Sequence, residues 1–303
     1  MARRILILLV IAALLPSCRS CKSGPNPNED FDIPDELIEE QPVEIASEVI
    51  DEIVQNVSSP VETAALIKGL RIPFNKEYMA NTKNADNLNT SYQRAIGLGI
   101  YGADLGYLNM YEKTSLVIDY ISAVKSLADG IQVGQFFDFN TLRRIATNKE
   151  NLDSLMLISQ QSFNRIDSYL RETNRSHLSV VIIAGVWIEG LYLSTRVAQD
   201  SKNERINETI GEQKVIMATL MALLENYKKD PNVAGLIKDF EGIKELYKDV
   251  KITYEIGGDP IPVVKNGVLT FEQNDVQTIV MSDETLNEII TRVQSIRNKL
   301  IEG

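Results

Sequence analysis

The sequence predicts a mainly α-helical protein, an antiparallel helical bundle or a stack of helical hairpins, with a small β-hairpin before the C-terminal helix. Three observations support this fold class. Apolar residues recur at helical spacing through most of the chain. Helix-capping residues and short polar turns separate the apolar segments. Near Lys251 the composition becomes strand-like, and an Asn-Gly pair lies between two short apolar runs.

The helical segments follow one another with short connections. An apolar stripe over 43–57 alternates with acidic residues, and Ser59 with Pro60 forms a capping-box start for a short helix that stops at Gly69. Residues 70–89 form a polar connection around an apolar Ile-Pro-Phe group at 72–74. Further helices are predicted over about 90–111, 114–130, 140–148 with Asn140 as its cap, 149–171, 177–199 opened by Ser176, 204–227 and 230–250. Short turns between consecutive helices favour antiparallel packing.

The C-terminal region combines strands with one last helix. Residues 251–256 have strand composition, and Asn266-Gly267 predicts a tight turn between apolar runs on either side, so the β-hairpin is placed over about 251–272. Ser282 caps a helix over about 283–301, whose single apolar face requires a surface to dock on.

Helical repeats are the alternative to a bundle. Residues 104–108 (DLGYL) match 189–193 (EGLYL) in an acidic-x-x-Tyr-Leu pattern, at the middle of the two most apolar helices. The fixed positions of a tetratricopeptide repeat are missing. Both topologies remain open at this point.

The first eighteen residues, MARRILILLVIAALLPSC, have the organisation of a secretion signal. Two arginines precede an uncharged apolar run over 5–15, which is shorter than the roughly 20 residues needed to span a bilayer. The run ends in Leu15-Pro16-Ser17-Cys18, which resembles the lipobox of bacterial lipoproteins. An ordinary secreted protein with an incidental Cys18 is the alternative interpretation.

The lipobox resemblance implies a defined maturation. The Cys18 sulfur would receive diacylglycerol, and residues 1–17 would be removed as a signal peptide. The new amino terminus would then receive a further acyl chain such as palmitate. Residues 18–34 would form a flexible tether, and 35–303 a single, mostly helical domain. Because Arg19 stands where inner-membrane retention uses Asp, the resemblance favours the periplasmic face of the outer membrane, with the cell surface as the alternative.

Composition excludes several classes of partner and chemistry. The net charge of −11 argues against nucleic acid and against a polybasic grip on lipid, so the membrane contact is assigned to the lipid. The two cysteines, Cys18 and Cys21, both lie at the tether, and His177 is the single histidine, so no metal site of histidine or cysteine is predicted. The nucleotide-binding glycine motifs are also missing, and no cofactor is predicted.

Four glycines mark the predicted helix over 90–111. Gly97, Gly99, Gly102 and Gly106 each weaken a helix by roughly 1 kcal/mol relative to Ala. Such a pattern indicates either close contact with a neighbouring helix or a space that another molecule fills.

Asp104 and Glu189 are the two acidic residues expected inside the helical core. In one interpretation, tyrosine hydroxyls and Arg196 pair with them in a structural polar network. In the other, they line a ligand pocket between the 90–111 and 177–199 helices. Its candidate residues are Tyr101, Asp104, Tyr107, Trp187, Glu189, Tyr192 and Arg196.

Three functions follow from these features. The first is a lipid-anchored envelope protein that binds or scaffolds an envelope protein partner without catalysis. The second is a small-molecule binding protein that uses the pocket around Asp104. The third is an enzyme that uses Asp104 and Glu189 as its carboxylates.

Overall fold

The computed structural model describes residues 60–142, 152–255, 257, 261–265, 268–272 and 276–302. The predicted signal peptide, the lipidation site Cys18, the tether and the 43–57 helix lie outside these residues. Within them the protein is mainly α-helical with short antiparallel strands before the last helix, which confirms the predicted fold class.

The helices match the predicted segments closely. Their bounds are α1 Pro60–Gly69, α2 Ser91–Met110, α3 Thr114–Gly130, α4 Leu152–Glu172, α5 Ser176–Ser201, α6 Glu204–Glu225, α7 Pro231–Leu246 and α8 Asp283–Glu302. The connection between α1 and α2 contains two short 3₁₀ helices, Lys76–Tyr78 and Thr82–Asn87, and another covers Tyr247–Asp249 at the end of α7.

Side-chain caps explain where several of these helices begin. Thr90 and Gln93 form a capping box at α2. The Asp230 side chain accepts backbone N–H groups at α7, where Pro231 occupies the first helical position. Ser282 accepts the N–H of Thr285 at α8, as predicted.

Two predicted helix starts differ. Residues 139–142 are already helical, and the cap is Asp138, whose side chain accepts the Thr141 N–H, instead of Asn140. Most of the predicted 140–148 helix lies outside the described residues. Ser176 is the first residue of α5, but the preceding residue, Arg175, makes no side-chain cap. The first start therefore has a different cap from the predicted one, and the start of α5 has no side-chain cap.

In the part of the chain that the structure describes, four strands form two antiparallel pairs. Their bounds are β1 Lys251–Glu255, β2 Ile261–Lys265, β3 Val268–Glu272 and β4 Val276–Val280. β2 pairs with β3 as the Asn-Gly turn predicts, with Lys265 opposite Val268. β1 pairs with β4, from Lys251 opposite Val280 to Glu255 opposite Val276. The sequence did not predict β4, so the β region extends to Val280 and not to residue 272.

The core is one apolar cluster built around α2 and α5. Among the described helices, α5 alone is long and apolar enough to cross a membrane, but 94% of its apolar window is buried inside the protein. The apolar composition of α5 and its burial are typical of a central helix that other helices surround. α8 docks its apolar face on this core through residues such as Ile289, Val293 and Ile296.

Candidate functional site

The first contact between α2 and α5 is a backbone contact at two glycines. A Cβ atom placed on Gly99 would lie 2.2 Å from the carbonyl oxygen of Ile182. One placed on Gly185 would lie 2.3 Å from the carbonyl oxygen of Ile96 and 3.1 Å from the Gly99 Cα. Because no side chain fits in this space, the two backbones touch. This geometry favours the close-packing interpretation of the glycines at this point of the interface.

Gly97 and Gly102 of α2 are less constrained than Gly99. A Cβ on Gly97 would lie 2.4 Å from the side chain of Leu88, which has some freedom to shift. Gly102 is exposed, and a Cβ there would meet no atom within 4 Å. Close approach to α5 therefore explains Gly99 and does not explain every glycine in the pattern.

The second contact between α2 and α5 brings Asp104 and Glu189 together with Arg297 of α8. Glu189 is fully buried, and its two carboxylate oxygens accept the Nε and Nη2 hydrogens of Arg297, each at 2.7 Å. Arg297 is 3% exposed. This two-point geometry is the strongest form of an Arg–carboxylate pair. We call Asp104, Glu189 and Arg297 the carboxyl cluster.

Asp104 completes the carboxyl cluster from the other side. Its Oδ2 accepts the backbone N–H of Ala80 at 2.9 Å. Among the described residues, no donor reaches its Oδ1, although Asp104 lies within hydrogen-bond reach of Glu189. Burial, followed by the nearby charge of Glu189, raises the pKa of Asp104 well above its usual range.

Protonation of Asp104 accounts for both observations. Two ionised carboxylates with one guanidinium would leave a net negative charge in the core, whereas a protonated Asp104 leaves the carboxyl cluster neutral. A protonated Asp104 also gains a hydrogen that it can donate to Glu189, which lies within hydrogen-bond reach. The carboxyl cluster is therefore best described as a neutral acid beside an ion pair.

The tyrosines predicted to pair with the carboxylates pair elsewhere. The Tyr192 ring lies under Arg297, with its centroid 4.1 Å from the guanidinium carbon, so it supports the cation and not the acid. Tyr101 donates its hydroxyl hydrogen to the carbonyl of Asn81 at 2.8 Å. The Tyr107 hydroxyl accepts the Asn75 N–H at 3.2 Å, and its ring stacks on Phe74. Tyr101 and Tyr107 thus hold the connection between α1 and α2 against α2.

Trp187 and Arg196 also have partners away from the carboxyl cluster. The Trp187 indole donates to Gln213 of α6 at 3.0 Å, and its ring packs edge-on against Phe240 of α7. Arg196 lies over the ring of Tyr78, whose hydroxyl bonds to Asp200. Burial, followed by the hydrogen bond to Asp200, raises the pKa of Tyr78 to about 12. The prediction that Arg196 pairs with the core carboxylates is therefore wrong, and Arg297 makes that pair.

Sequence reasoning missed Arg297 and the backbone of Ala80. Arg297 lies in the apolar stripe of α8, four residues after Val293 and three before Leu300. A single cation inside an apolar stripe indicates a buried partner, so this signal was present in the sequence. The N–H of Ala80 carries no sequence signal, because every residue other than proline has one.

The carboxyl cluster has the chemistry of a structural contact. Asp104 and Glu189 expose none of their surface, and Arg297 occupies both oxygens of Glu189. A surface groove of 720 Å³ lies between Leu246 and the outer face of α8, and none of the residues that line it belongs to the predicted pocket. No group of three or more His, Cys, Asp or Glu side chains within the described part of the chain is placed to hold a metal ion.

Known proteins offer no guide to this arrangement. No family model, no curated protein and no solved structure matches the chain.

Proposed function

We propose that this chain is a lipid-anchored envelope protein that acts as a non-enzymatic binding or scaffolding module. The observation that carries the proposal is the N-terminal sequence, in which an apolar run after Arg3 and Arg4 leads directly into Leu15-Pro16-Ser17-Cys18. Acyl chains on Cys18 would hold the helical body at the periplasmic face of the outer membrane.

The structure of the body supports binding over catalysis. Asp104 and Glu189, the two carboxylates that the sequence singled out, lie inside the core in contact with Arg297 and Ala80. Their interactions stabilise the packing of α2, α5 and α8. The surface is acidic overall, with a net charge of −11 for the chain, and this favours a protein partner over nucleic acid.

The lipid attachment is tested by the substitution Cys18→Ser. Cells that express the unaltered protein should incorporate labelled palmitate into it, and the Cys18→Ser variant should lose the label and accumulate as a heavier, uncleaved precursor. Cys21→Ser is the matched control, because it removes the neighbouring thiol and leaves the lipobox intact. Continued labelling of the Cys18→Ser protein would overturn the proposal.

The binding role is tested in the same strains. Affinity capture of the tagged protein from detergent-solubilised envelopes should recover a second protein in comparable amount, and the Cys18→Ser strain should recover much less of it. If capture returns this chain alone under mild detergent conditions, the scaffolding role for another envelope protein is wrong.

A further inference from the structure

One edge of strand β1 has no partner strand among the described residues. Within the described residues β1 pairs with β4 alone, and β4 is the strand that packs on α6. Four of the five residues of β1 are exposed, and Tyr254 exposes 63% of its surface. The backbone N–H and C=O groups on this edge are therefore available to another strand.

The two faces of the β1–β4 pair differ. Ile252 and Ile279 face each other across the pair and pack against the core, and Ile279 lies over Gly211 of α6. Because side chains alternate along a strand, Lys251, Thr253 and Glu255 share the opposite, outward face. That face also carries Val276 and Val280 of β4, which are 54% and 57% exposed.

We propose that β1 pairs antiparallel with β1 of a second copy of this chain. The strand sequence Lys-Ile-Thr-Tyr-Glu is complementary to itself in the register that places Thr253 opposite Thr253. In this register each Lys251 faces a Glu255 on the outward face. Each Ile252 faces a Tyr254 on the inner face. A β-branched residue beside an aromatic, and opposite charges beside each other, are the favourable cross-strand pairs.

The charges also select against other registers. Parallel pairing in register would place Lys251 against Lys251 and Glu255 against Glu255, which is destabilising. An antiparallel pairing shifted by two residues leaves both charges without their partners, and a shift by one residue turns the strand face over. Lysine on a strand edge usually prevents association. Here the glutamate four residues away converts that protection into a preference for one arrangement.

The helical body joins the β1–β4 pair at one end of the two strands. The helices connect to the β1–β4 pair at the end that carries Lys251 and Val280. α7 with its 3₁₀ turn precedes β1, and α8 follows β4. In an antiparallel pair of β1 strands, these connections lie at opposite ends of the shared sheet. The result is a four-stranded sheet in the order β4, β1, β1, β4. Tyr254 of each copy then gains an apolar neighbour.

The first test is a disulfide across the two-fold axis. In the full chain carrying Cys21→Ser and reconstituted in detergent, Thr253→Cys should form a disulfide-linked dimer under mild oxidation, because opposite Cα atoms in an antiparallel pair lie within disulfide range. Thr278→Cys is the matched control on the same outward face. Its two copies would lie three strand spacings apart, roughly 14 Å, and should not cross-link. The Cys21→Ser chain without a new cysteine sets the background.

The second test is charge exchange, measured by light scattering without any cross-link. The unaltered protein should have twice the mass of one chain. Lys251→Glu and Glu255→Lys should each weaken the dimer, by roughly 2- to 30-fold for two altered charge pairs. The double variant, Lys251→Glu with Glu255→Lys, should recover the original affinity because each pair is restored in reverse.

Several results would overturn the inference. A monomeric mass at tens of micromolar would do so, as would Thr253→Cys cross-linking no faster than Thr278→Cys. Failure of the double variant to recover would show that this register is wrong. If Thr253→Cys cross-linked to a different protein instead of a second copy of this chain, the edge of β1 would belong to that partner. The dimer and the lipid anchor can fail independently, because the variants tested here alter the strands β1 and β4, whereas Cys18→Ser alters only the anchor.

Discussion

The helices α2 and α5 meet in two physically different ways within two helical turns. At Gly99 and Gly185 the backbones touch and no side chain lies between them. At Asp104 and Glu189 the same helices bring two acids together, and Arg297 is required beside them. The contacts advance in the same direction along both helices, so α2 and α5 run side by side with the same polarity.

The glycine contact depends on two positions alone, whereas the carboxyl cluster depends on distant segments of the chain. The glycine contact needs only that two positions lack a side chain, and α2 and α5 supply both. The carboxyl cluster needs Arg297, 108 residues from Glu189, as well as the backbone of Ala80. The first contact sets how close the helices come, and the second ties α8 and the α1–α2 connection to them.

The largest effect is expected when the carboxyl cluster loses its cation. Arg297→Met should leave the charge of the buried Glu189 carboxylate without its cation, which typically destabilises a protein by about 3–5 kcal/mol. Urea unfolding monitored by circular dichroism measures the change. Glu189→Gln added to Arg297→Met should recover part of the loss, because it removes the unpaired charge.

Lys299→Met is the matched control on the same helix. Lys299 pairs with Asp239 at 2.6 Å, but its side chain is 66% exposed. An exposed pair contributes at most about 1 kcal/mol. Equal destabilisation by Arg297→Met and Lys299→Met would contradict the distinction between a buried structural pair and a surface pair.

The glycine contact should show the next largest effect. Gly99→Ala places a methyl group against the α5 backbone at Ile182, where no flexible side chain can move aside. Overpacking of this kind costs about 1–3 kcal/mol. Gly102→Ala lies three residues away in open space and should instead stabilise α2 by up to about 1 kcal/mol. If both substitutions change the urea midpoint in the same direction, close approach is not the reason for Gly99.

The sequence predicted the elements better than the contacts between them. Helix caps such as Thr90 and Asp230 are local signals, and the structure confirms the helices that they begin. Asp104 and Glu189 were singled out because a carboxylate in an apolar stripe is costly without a partner. The structural interpretation pairs them with tyrosine hydroxyls and Arg196, the nearest cation along α5, whereas Glu189 pairs with Arg297 from α8.

Two further features lay beyond local signals. β4 has no turn motif linking it to β1, and its pairing depends on Ile279 packing over Gly211, which only the assembled body provides. The role of the 70–89 connection depends on the Ala80 N–H, a group that is the same in every sequence. Contacts made by backbone atoms, or between distant segments, need the fold before they can be identified.

Asp104→Asn should change the free energy of unfolding least when it is measured at low pH. Its effect on the pH dependence of stability tests the protonation state of Asp104. The unfolded chain releases the Asp104 proton above about pH 4, whereas the folded protein retains it because burial and Glu189 raise the pKa of this group. The folded state therefore binds more protons over this range. The contribution of the neutral Asp104 to the free energy of unfolding is therefore fully present below about pH 4. It falls as the pH rises toward the raised pKa of Asp104, by up to about 1.4 kcal/mol per pH unit.

Asparagine reproduces the neutral acid. Its carbonyl oxygen can accept the Ala80 N–H and its amide can donate to Glu189, so Asp104→Asn should have nearly the original stability at acidic pH and a flatter dependence above it. Urea midpoints between about pH 5 and 9 measure that slope. Asp129→Asn, at an exposed pair with Lys125, should leave the slope unchanged. A loss at pH 5 as large as that of Arg297→Met would mean that Asp104 is an ionised partner of Arg297, and the carboxyl cluster would then carry a net charge.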